Sequence, residues 1–123
     1  MLLEESGLLL RPDEQVLKHG NFSGKIPVGP NLYVQNKAIW KKINGELVIT
    51  DQRAFALERQ GIIRKKIDIY DLEIVGVTVT KSLFGKQTLE LMLNYGDRKA
   101  QRANLEVDNP TEWMNAMRGI VSR

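Results

Sequence analysis

The sequence predicts a mainly β protein in which a curled antiparallel sheet of about seven strands is capped by one C-terminal α-helix. Two observations predict this fold class. Apolar and polar residues alternate with period two in one short segment after another, and a well-marked helix start follows the last of these segments. Short strands with one apolar face cannot form a flat open sheet without wetting that face. We therefore expect the sheet to curl into a barrel or a sandwich.

Seven segments carry the strand pattern. The predicted strands are residues 14–22, 46–50, 53–59, 62–70, 73–80, 88–95 and 98–107, with shorter extended pieces at 32–34 and 38–40. In the last two strands, the side chains expected to face the core are Leu89, Leu91, Leu93, Tyr95, Ala103, Leu105 and Val107. Turns are predicted at Asp51-Gln52, Gln60-Gly61 and Gly96-Asp97. Asn44-Gly45 is a strong hairpin signal, and the Gly- and Pro-rich residues 23–31 form the longest predicted loop.

The C-terminal helix is predicted over residues 110–122. Asn109 is expected to cap its first turn, Pro110 suits the first helical position, and Glu112 stands where a capping-box carboxylate reaches back. An apolar stripe follows at helical spacing, formed by Trp113, Ala116, Met117 and Ile120. The helix therefore has the length and the stripe to close an open end of the sheet, with Trp113 as its largest buried side chain.

Length and composition predict one domain preceded by a short lead-in. The chain has 123 residues, a net charge of +3 and no cysteine, which excludes disulfides and thiolate sites. Residues 1–12 are the lead-in and 13–123 the domain, and the leucines at 8–10 are expected to pack on it. No segment approaches the roughly 20 apolar residues of a bilayer span, and acidic residues stand where a secretory signal needs positive charge. A cytoplasmic location, with peripheral membrane contact as an option, is the default expectation.

Charge is spread unevenly along the chain. Residues 1–14 carry −3, so the remainder carries +6. This excess is weaker than the dense basic stripe of a dedicated nucleic-acid binder, and nucleic acid is not an expected partner. Trp40 is expected to pack in the core, and the neighbouring lysines are expected to be solvated.

No residue pattern indicates catalysis, a cofactor or a metal. His19 is the only imidazole, and without cysteine or a second histidine it does not make a zinc site; it is expected on a strand surface. Pairs of carboxylates flank turns, where Asp commonly bonds its own backbone. The sequence gives an enzymatic function no positive support.

From about Asp13 to Val121 the sequence resembles the pleckstrin-homology (PH) superfold, particularly its bacterial and archaeal versions and the related GRAM domains. Three pieces carry the resemblance: residues 45–55, with a Thr-turn-Arg centre; residues 81–86; and residues 109–113 at the helix start. The resemblance implies a non-enzymatic interaction module. Some members bind phosphoinositide headgroups or anionic membranes, and others bind peptides or partner domains.

The resemblance also implies a basic first hairpin loop in members that bind phosphoinositides. Lys18 and Lys25 bracket that region here, but Pro27, Val28 and Pro30 occupy the loop itself. The sequence therefore departs from the phosphoinositide pattern at this point.

Two segments are candidate interaction sites. In residues 81–86, Leu83 and Phe84 stand between Lys81 and Lys86. On a membrane the apolar pair would enter the interface while the lysines meet lipid phosphates. The alternative, which we favour from sequence, is that the pair folds back over the end of the barrel, because exposed aromatic side chains are usually covered. The same patch also suits a protein partner.

The second segment is the charge run at Arg64, Lys65 and Lys66. Strand alternation places Arg64 and Lys66 on one face and Lys65 on the other. A solvated sheet edge is favoured here over a ligand site.

The sequence thus favours a protein or peptide partner, with self-association through a strand edge or through Leu83 and Phe84 as one form of it. The low aromatic content and the lack of a convergent basic pocket motivate this hypothesis. The second hypothesis is peripheral binding to anionic lipid through the 81–86 segment.

Overall fold

The computed structural model describes residues 2–30, 38–60, 66–95 and 98–121. Its elements are α1 (Leu2–Ser6), β1 (Val16–Pro30), β2 (Ala38–Thr50), β3 (Ala54–Gln60), β4 (Lys66–Leu72), β5 (Ile74–Lys81), β6 (Gln87–Tyr95), β7 (Arg98–Val107) and α2 (Pro110–Met117). The seven strands form one antiparallel sheet in the order β4-β3-β2-β1-β7-β6-β5. β4 and β5 follow each other in the chain but lie at opposite edges of this order, so the sheet is curled and unclosed. The predicted fold class is confirmed.

Some predictions fall on other parts of the chain. The following predictions lie outside the described residues: the extended piece at 32–34, the turn at Gly96-Asp97, Gly61 of the Gln60-Gly61 turn, and residues 62–65 of the predicted fourth strand.

β1 is longer than the sequence predicts, because the loop expected at 23–31 is strand as far as Pro30. Ser23 pairs with both Asn44 of β2 and Glu106 of β7, so β1 joins the two halves of the sheet. A Cβ atom at Gly24 would lie 2.7 Å from the carbonyl oxygen of Asn104. Gly24 therefore marks a close approach between strands, and the loop prediction was wrong.

The predicted hairpin at Asn44-Gly45 is also wrong. Asn44 pairs with Ser23 and Gly45 with Phe22, both in the middle of the β1–β2 ladder. A Cβ atom at Gly45 would lie 2.0 Å from the carbonyl oxygen of Leu57 on β3. The glycine is needed because the backbone of β3 passes directly against it, so tertiary packing overrides a local turn signal.

The inner core lies inside the curl, between the sheet and α2. Its buried members are Phe22, Ile26, Ile43, Leu47, Ile49, Ala54, Ala56, Leu72, Ile74, Leu89, Leu91, Leu93, Ala103, Leu105, Trp113 and Met117. Trp113 is 2% exposed, which confirms the predicted plug. Its ring lies 3.2 Å from the position a Cβ at Gly20 would take, so the absence of a side chain there makes room for the indole.

The start and the end of α2 differ from prediction. Asn109 has φ 52° and ψ 65° and makes no side-chain cap bond, because a capping side chain needs an extended backbone to reach the first-turn N–H groups. Glu112 accepts a hydrogen bond from Lys18 Nζ at 3.2 Å rather than reaching back. Pro110 does begin the helix, but the helix ends at Met117, short of residue 122. Ile120 still packs against the inner core from beyond the helix.

A second core lies on the outer face of β2, β3 and β4. Leu3, Val48, Phe55 and Leu57 are buried there, with Leu2, Leu8, Leu10, Val16, Ile67 and Ile69 packed around them. The lead-in leucines thus pack on the sheet, as expected for Leu8 and Leu10. Leu9, by contrast, is 86% exposed.

The Thr-turn-Arg piece holds a buried carboxylate that the sequence analysis did not single out. Glu14 is 6% exposed and accepts hydrogen bonds from Arg53 Nε and Nη2, each at 2.8 Å, and from Thr50 Oγ1 at 2.6 Å. The backbone N–H of Arg11 donates a fourth bond to it at 3.0 Å. The hydrogen bonds from Arg53 are the main reason why the pKa of Glu14 falls to about 2.

Substitution of Gly45 tests the close approach of β2 and β3. Gly45→Ala should lower the free energy of unfolding by more than about 3 kcal/mol, because backbone rather than a flexible side chain must move. Gly119→Ala is the matched control, since nothing lies within 4 Å of that position. Urea denaturation checks both variants, and equal midpoints would contradict the assigned role of Gly45.

Acid titration tests the Glu14 cluster. The folded-state pKa of about 2 lies below the ordinary 4.5, so the carboxylate contributes stability that is present above pH 4.5 and is lost as pH falls toward 2. The contribution is roughly 3 kcal/mol at neutral pH. Glu14→Gln should therefore lower stability at pH 7 and flatten the pH dependence between pH 2 and 4.5.

The matched control for this titration is Glu112→Gln, which breaks an exposed ion pair with Lys18. Such pairs contribute about 1 kcal/mol or less. Guanidinium denaturation at several pH values measures both variants, and an unchanged pH profile in Glu14→Gln would show that the cluster does not stabilise the fold.

Candidate functional site

Residues 81–86, which are the last residue of β5 and the loop that leads to β6, form a hydrogen-bonded turn that is called the 81–86 loop below. The N–H of Gly85 donates to the Ser82 carbonyl at 3.0 Å, and the N–H of Ser82 donates to the Lys86 carbonyl at 2.8 Å. Ser82 Oγ accepts from the N–H of Lys86 at 3.2 Å. Gly85 has φ +83°, a conformation that glycine adopts without strain. The sequence thus builds a defined tip on a hairpin of the sheet.

Leu83 and Phe84 are fully exposed at this tip. Their relative exposures are 102% and 97%, so the expectation that they fold back over the end of the sheet was wrong. They occupy the two central positions of the turn that the Gly85-to-Ser82 bond closes, and side chains at these corners point away from the strands.

Lysines flank the exposed pair. Lys81 and Lys86 are both exposed, and Lys86 Nζ lies 2.9 Å from Oε1 of Glu106 on β7. The hydrogen bond from Lys86 is the main reason why the pKa of Glu106 is lowered, and the charge of Lys42 adds to it. Because the Lys86–Glu106 pair is mostly exposed, it is weak enough for a competing anion to displace.

Two further lysines lie on the same face, and the sequence analysis did not place them side by side. Lys25 of β1 and Lys42 of β2 are exposed and directly opposite each other. Like charges in this arrangement destabilise a strand pair. Their juxtaposition depends on the β1–β2 register, and Lys25 stands in the stretch that was predicted as loop. The alternation of Lys25 with the buried Ile26 was the signal that could have found it.

A shallow depression of about 400 Å³ lies beside the loop. It is lined by Asn21, Phe22, Ser23, Lys86, Glu106, Val107 and Asp108. Two carboxylates in its lining make it unsuited to enclose a phosphate group. The loop region therefore offers an exposed apolar and basic surface, and the depression beside it does not suit a headgroup phosphate.

The other sequence candidates do not join this surface. Lys66 is exposed at the start of β4, where its Nζ lies 3.7 Å from Oδ1 of Asp68, and the whole of β4 and β5 separates it from Lys81 along the chain. Arg64 and Lys65 lie outside the described residues. Trp40 is 39% exposed, so its expected core packing was wrong; it lies near the far ends of β1 and β2, opposite Pro27.

Nearby basic side chains are engaged in pairs. Lys41 Nζ lies 2.9 Å from Glu58 Oε1, and this contact is the main reason why the pKa of Lys41 is raised. Arg102 lies 2.8 Å from Glu90. His19 is half exposed on β1, as expected.

Two kinds of feature, a metal-binding cluster and a membrane-spanning helix, are not found in the part of the chain that the structure describes. Its side chains form no group of three or more His, Cys, Asp and Glu residues that could hold a metal ion. Within the same ranges, no helix has the length and apolar character needed to cross a membrane.

Comparison with known proteins adds the fold but no close relative. No family model matches the chain, and no curated protein matches it. A crystal structure of the DH/PH domains of p115-RhoGEF is similar, with a TM-score of 0.55 and 13% identity over 98% of this chain and 34% of that chain. A mutant form of the same DH/PH protein gives a TM-score of 0.53 and 12% identity over 99% of this chain and 35% of that one.

This chain thus spans about a third of the length of those solved chains. At such low identity the likeness concerns the fold alone. The curled seven-stranded sheet and the C-terminal helix agree with it. The chain therefore has a pleckstrin-homology-like fold.

Proposed function

We propose that this PH-like chain is a non-enzymatic interaction module that contacts anionic membrane surfaces through the 81–86 loop. One observation carries the proposal: Leu83 and Phe84 are fully exposed on a hydrogen-bonded hairpin tip between two lysines. Exposure of this apolar pair to water is unfavourable. The boundary between lipid headgroups and acyl chains accommodates both the pair and the charges beside it.

The expected strength is that of a reversible contact. Burial of a Leu or Phe side chain contributes about 1.5–3 kcal/mol, and a lysine near an anionic leaflet contributes about 1 kcal/mol. Ordering of the chain at the surface offsets part of this sum. Binding should therefore respond both to the loss of one apolar side chain and to salt.

The shape of the site favours a membrane over a protein as the first partner. A stable protein interface buries roughly 800 Å² on each side, and a tip with two apolar side chains presents much less than this. A bilayer needs no complementary pocket. The sequence alone favoured a protein partner, but the exposure of Leu83 and Phe84 reverses that order. A protein partner, including a second copy of the chain, is the alternative that the experiment must separate.

Vesicle flotation tests the proposal. The wild-type chain should float with vesicles of phosphatidylcholine and phosphatidylserine, less so at physiological than at low ionic strength, and poorly with phosphatidylcholine alone. Phe84→Ala should weaken binding about tenfold or more, because the tip loses its largest apolar group.

Leu17→Ser is the matched control for Leu83→Ser, since Leu17 is an exposed leucine on β1 away from the tip. Only the Leu83 variant should lose flotation. Absence of wild-type flotation, or full flotation of Phe84→Ala, rules out the membrane role. Sedimentation of the same samples then decides the alternative: a wild-type oligomer that Phe84→Ala dissociates assigns the tip to protein contact.

A further inference from the structure

The outer face of β2, β3 and β4 is an apolar surface that a short segment of the same chain covers. Val48, Phe55 and Leu57 are fully buried on this face, although it lies outside the curl. Leu3 of α1 packs against them and is 4% exposed. Without residues 2–10, these side chains would form an exposed apolar groove.

The covering segment satisfies its own backbone. Ser6 Oγ donates to the Leu3 carbonyl at 2.6 Å and accepts from the N–H of Leu8 at 3.2 Å, while the N–H of Gly7 donates to Glu4. Among the described residues, no backbone-to-backbone hydrogen bond joins residues 2–10 to the sheet. The segment is therefore held by side chains and can leave without breaking a strand ladder.

The contacts that hold the segment define the chemistry the groove accepts. Its leucines meet the apolar floor, the carboxylate of Glu5 pairs with Arg59, and Arg53 Nη2 donates to the carbonyl oxygen of Leu9 at 3.4 Å. The exchangeable part ends at Leu10, because Glu14 is anchored by Arg53 and Thr50. The groove thus recognises leucines and a carboxylate on a short, self-bonded segment.

We infer that the outer face of β2–β4 is a docking groove for a leucine-rich, acidic segment of a partner protein, and that residues 2–10 occupy it in cis. Charge complementarity supports this occupant: residues 2–10 carry −2, and Arg59, which pairs with Glu5, stands at the groove. The tethered segment competes with any partner at high effective concentration. Release of the tethered segment should therefore uncover the groove.

A peptide of residues 1–12 is the probe, tested against the full chain in wild-type form and as Leu3→Asp. The variant places a charge where Leu3 is buried, so its own segment should leave the groove. By fluorescence anisotropy, Leu3→Asp should bind the labelled peptide about tenfold or more tightly than the wild type, which keeps its cis competitor. A peptide carrying Leu3→Asp should bind neither protein.

Swapping the two charges of the Arg59–Glu5 pair tests whether the docking is specific. Nonspecific apolar adsorption of the peptide would not respond to this swap. Adding Arg59→Glu to the Leu3→Asp protein should weaken peptide binding, and a peptide with Glu5→Arg should restore it. Three outcomes overturn the inference. The first is a folded Leu3→Asp protein that binds the peptide no more tightly than the wild type does. Loss of the native circular dichroism in Leu3→Asp would make the segment part of the folding core. A wild-type dimer that Leu3→Asp dissociates would assign the groove to a second copy.

Discussion

The hydrogen bonds of the buried Glu14 carboxylate link the start of β1 to the turn between β2 and β3. The first half of the sheet depends on this link. Glu14 lies just before β1 and binds Thr50 and Arg53, which bracket the turn between β2 and β3. Removal of one partner would leave the buried carboxylate without compensation, which costs more than the loss of a surface pair. The cluster therefore fixes where β1 begins and where the N-terminal segment enters the outer face.

Two glycines permit the close approaches between strands that accompany the curl of the sheet. Gly24 and Gly45 lie in the middle of long strands, where the backbones of β7 and β3 approach too closely for a Cβ atom. β1 can consequently pair with β2 on one side and β7 on the other, which joins the two halves of the sheet. The hairpin that carries Leu83 and Phe84 is held in the second half through β6 and β7. The exposed tip thus stands on a continuous ladder.

Sequence reasoning succeeds where the cause is local and fails where it is tertiary. The alternation of Leu89, Leu91 and Leu93 marks β6 because burial of one sheet face is written directly into the residue order. The sequence does not distinguish a glycine required by a turn from a glycine required by a close approach of two strands. Only the position of Leu57 in the structure shows that Gly45 is of the second kind. The lysine pair and the role of Glu14 require the register of distant strands. The exposure of Phe84 depends on what surrounds the hairpin tip in three dimensions, which the order of residues does not record.

The placement of charge separates the two proposed surfaces. The acidic N-terminal segment is drawn to the β2–β4 face, where Glu5 and Glu14 meet Arg59 and Arg53. Glu5 and Glu14 are thereby held by arginines on that face instead of neutralising the lysines of the 81–86 loop. In the described contacts, Glu106 is the carboxylate that Lys86 and Lys42 share. Since attraction to an anionic surface decays within about 10 Å at moderate salt, the location of these charges matters more than the net charge of +3.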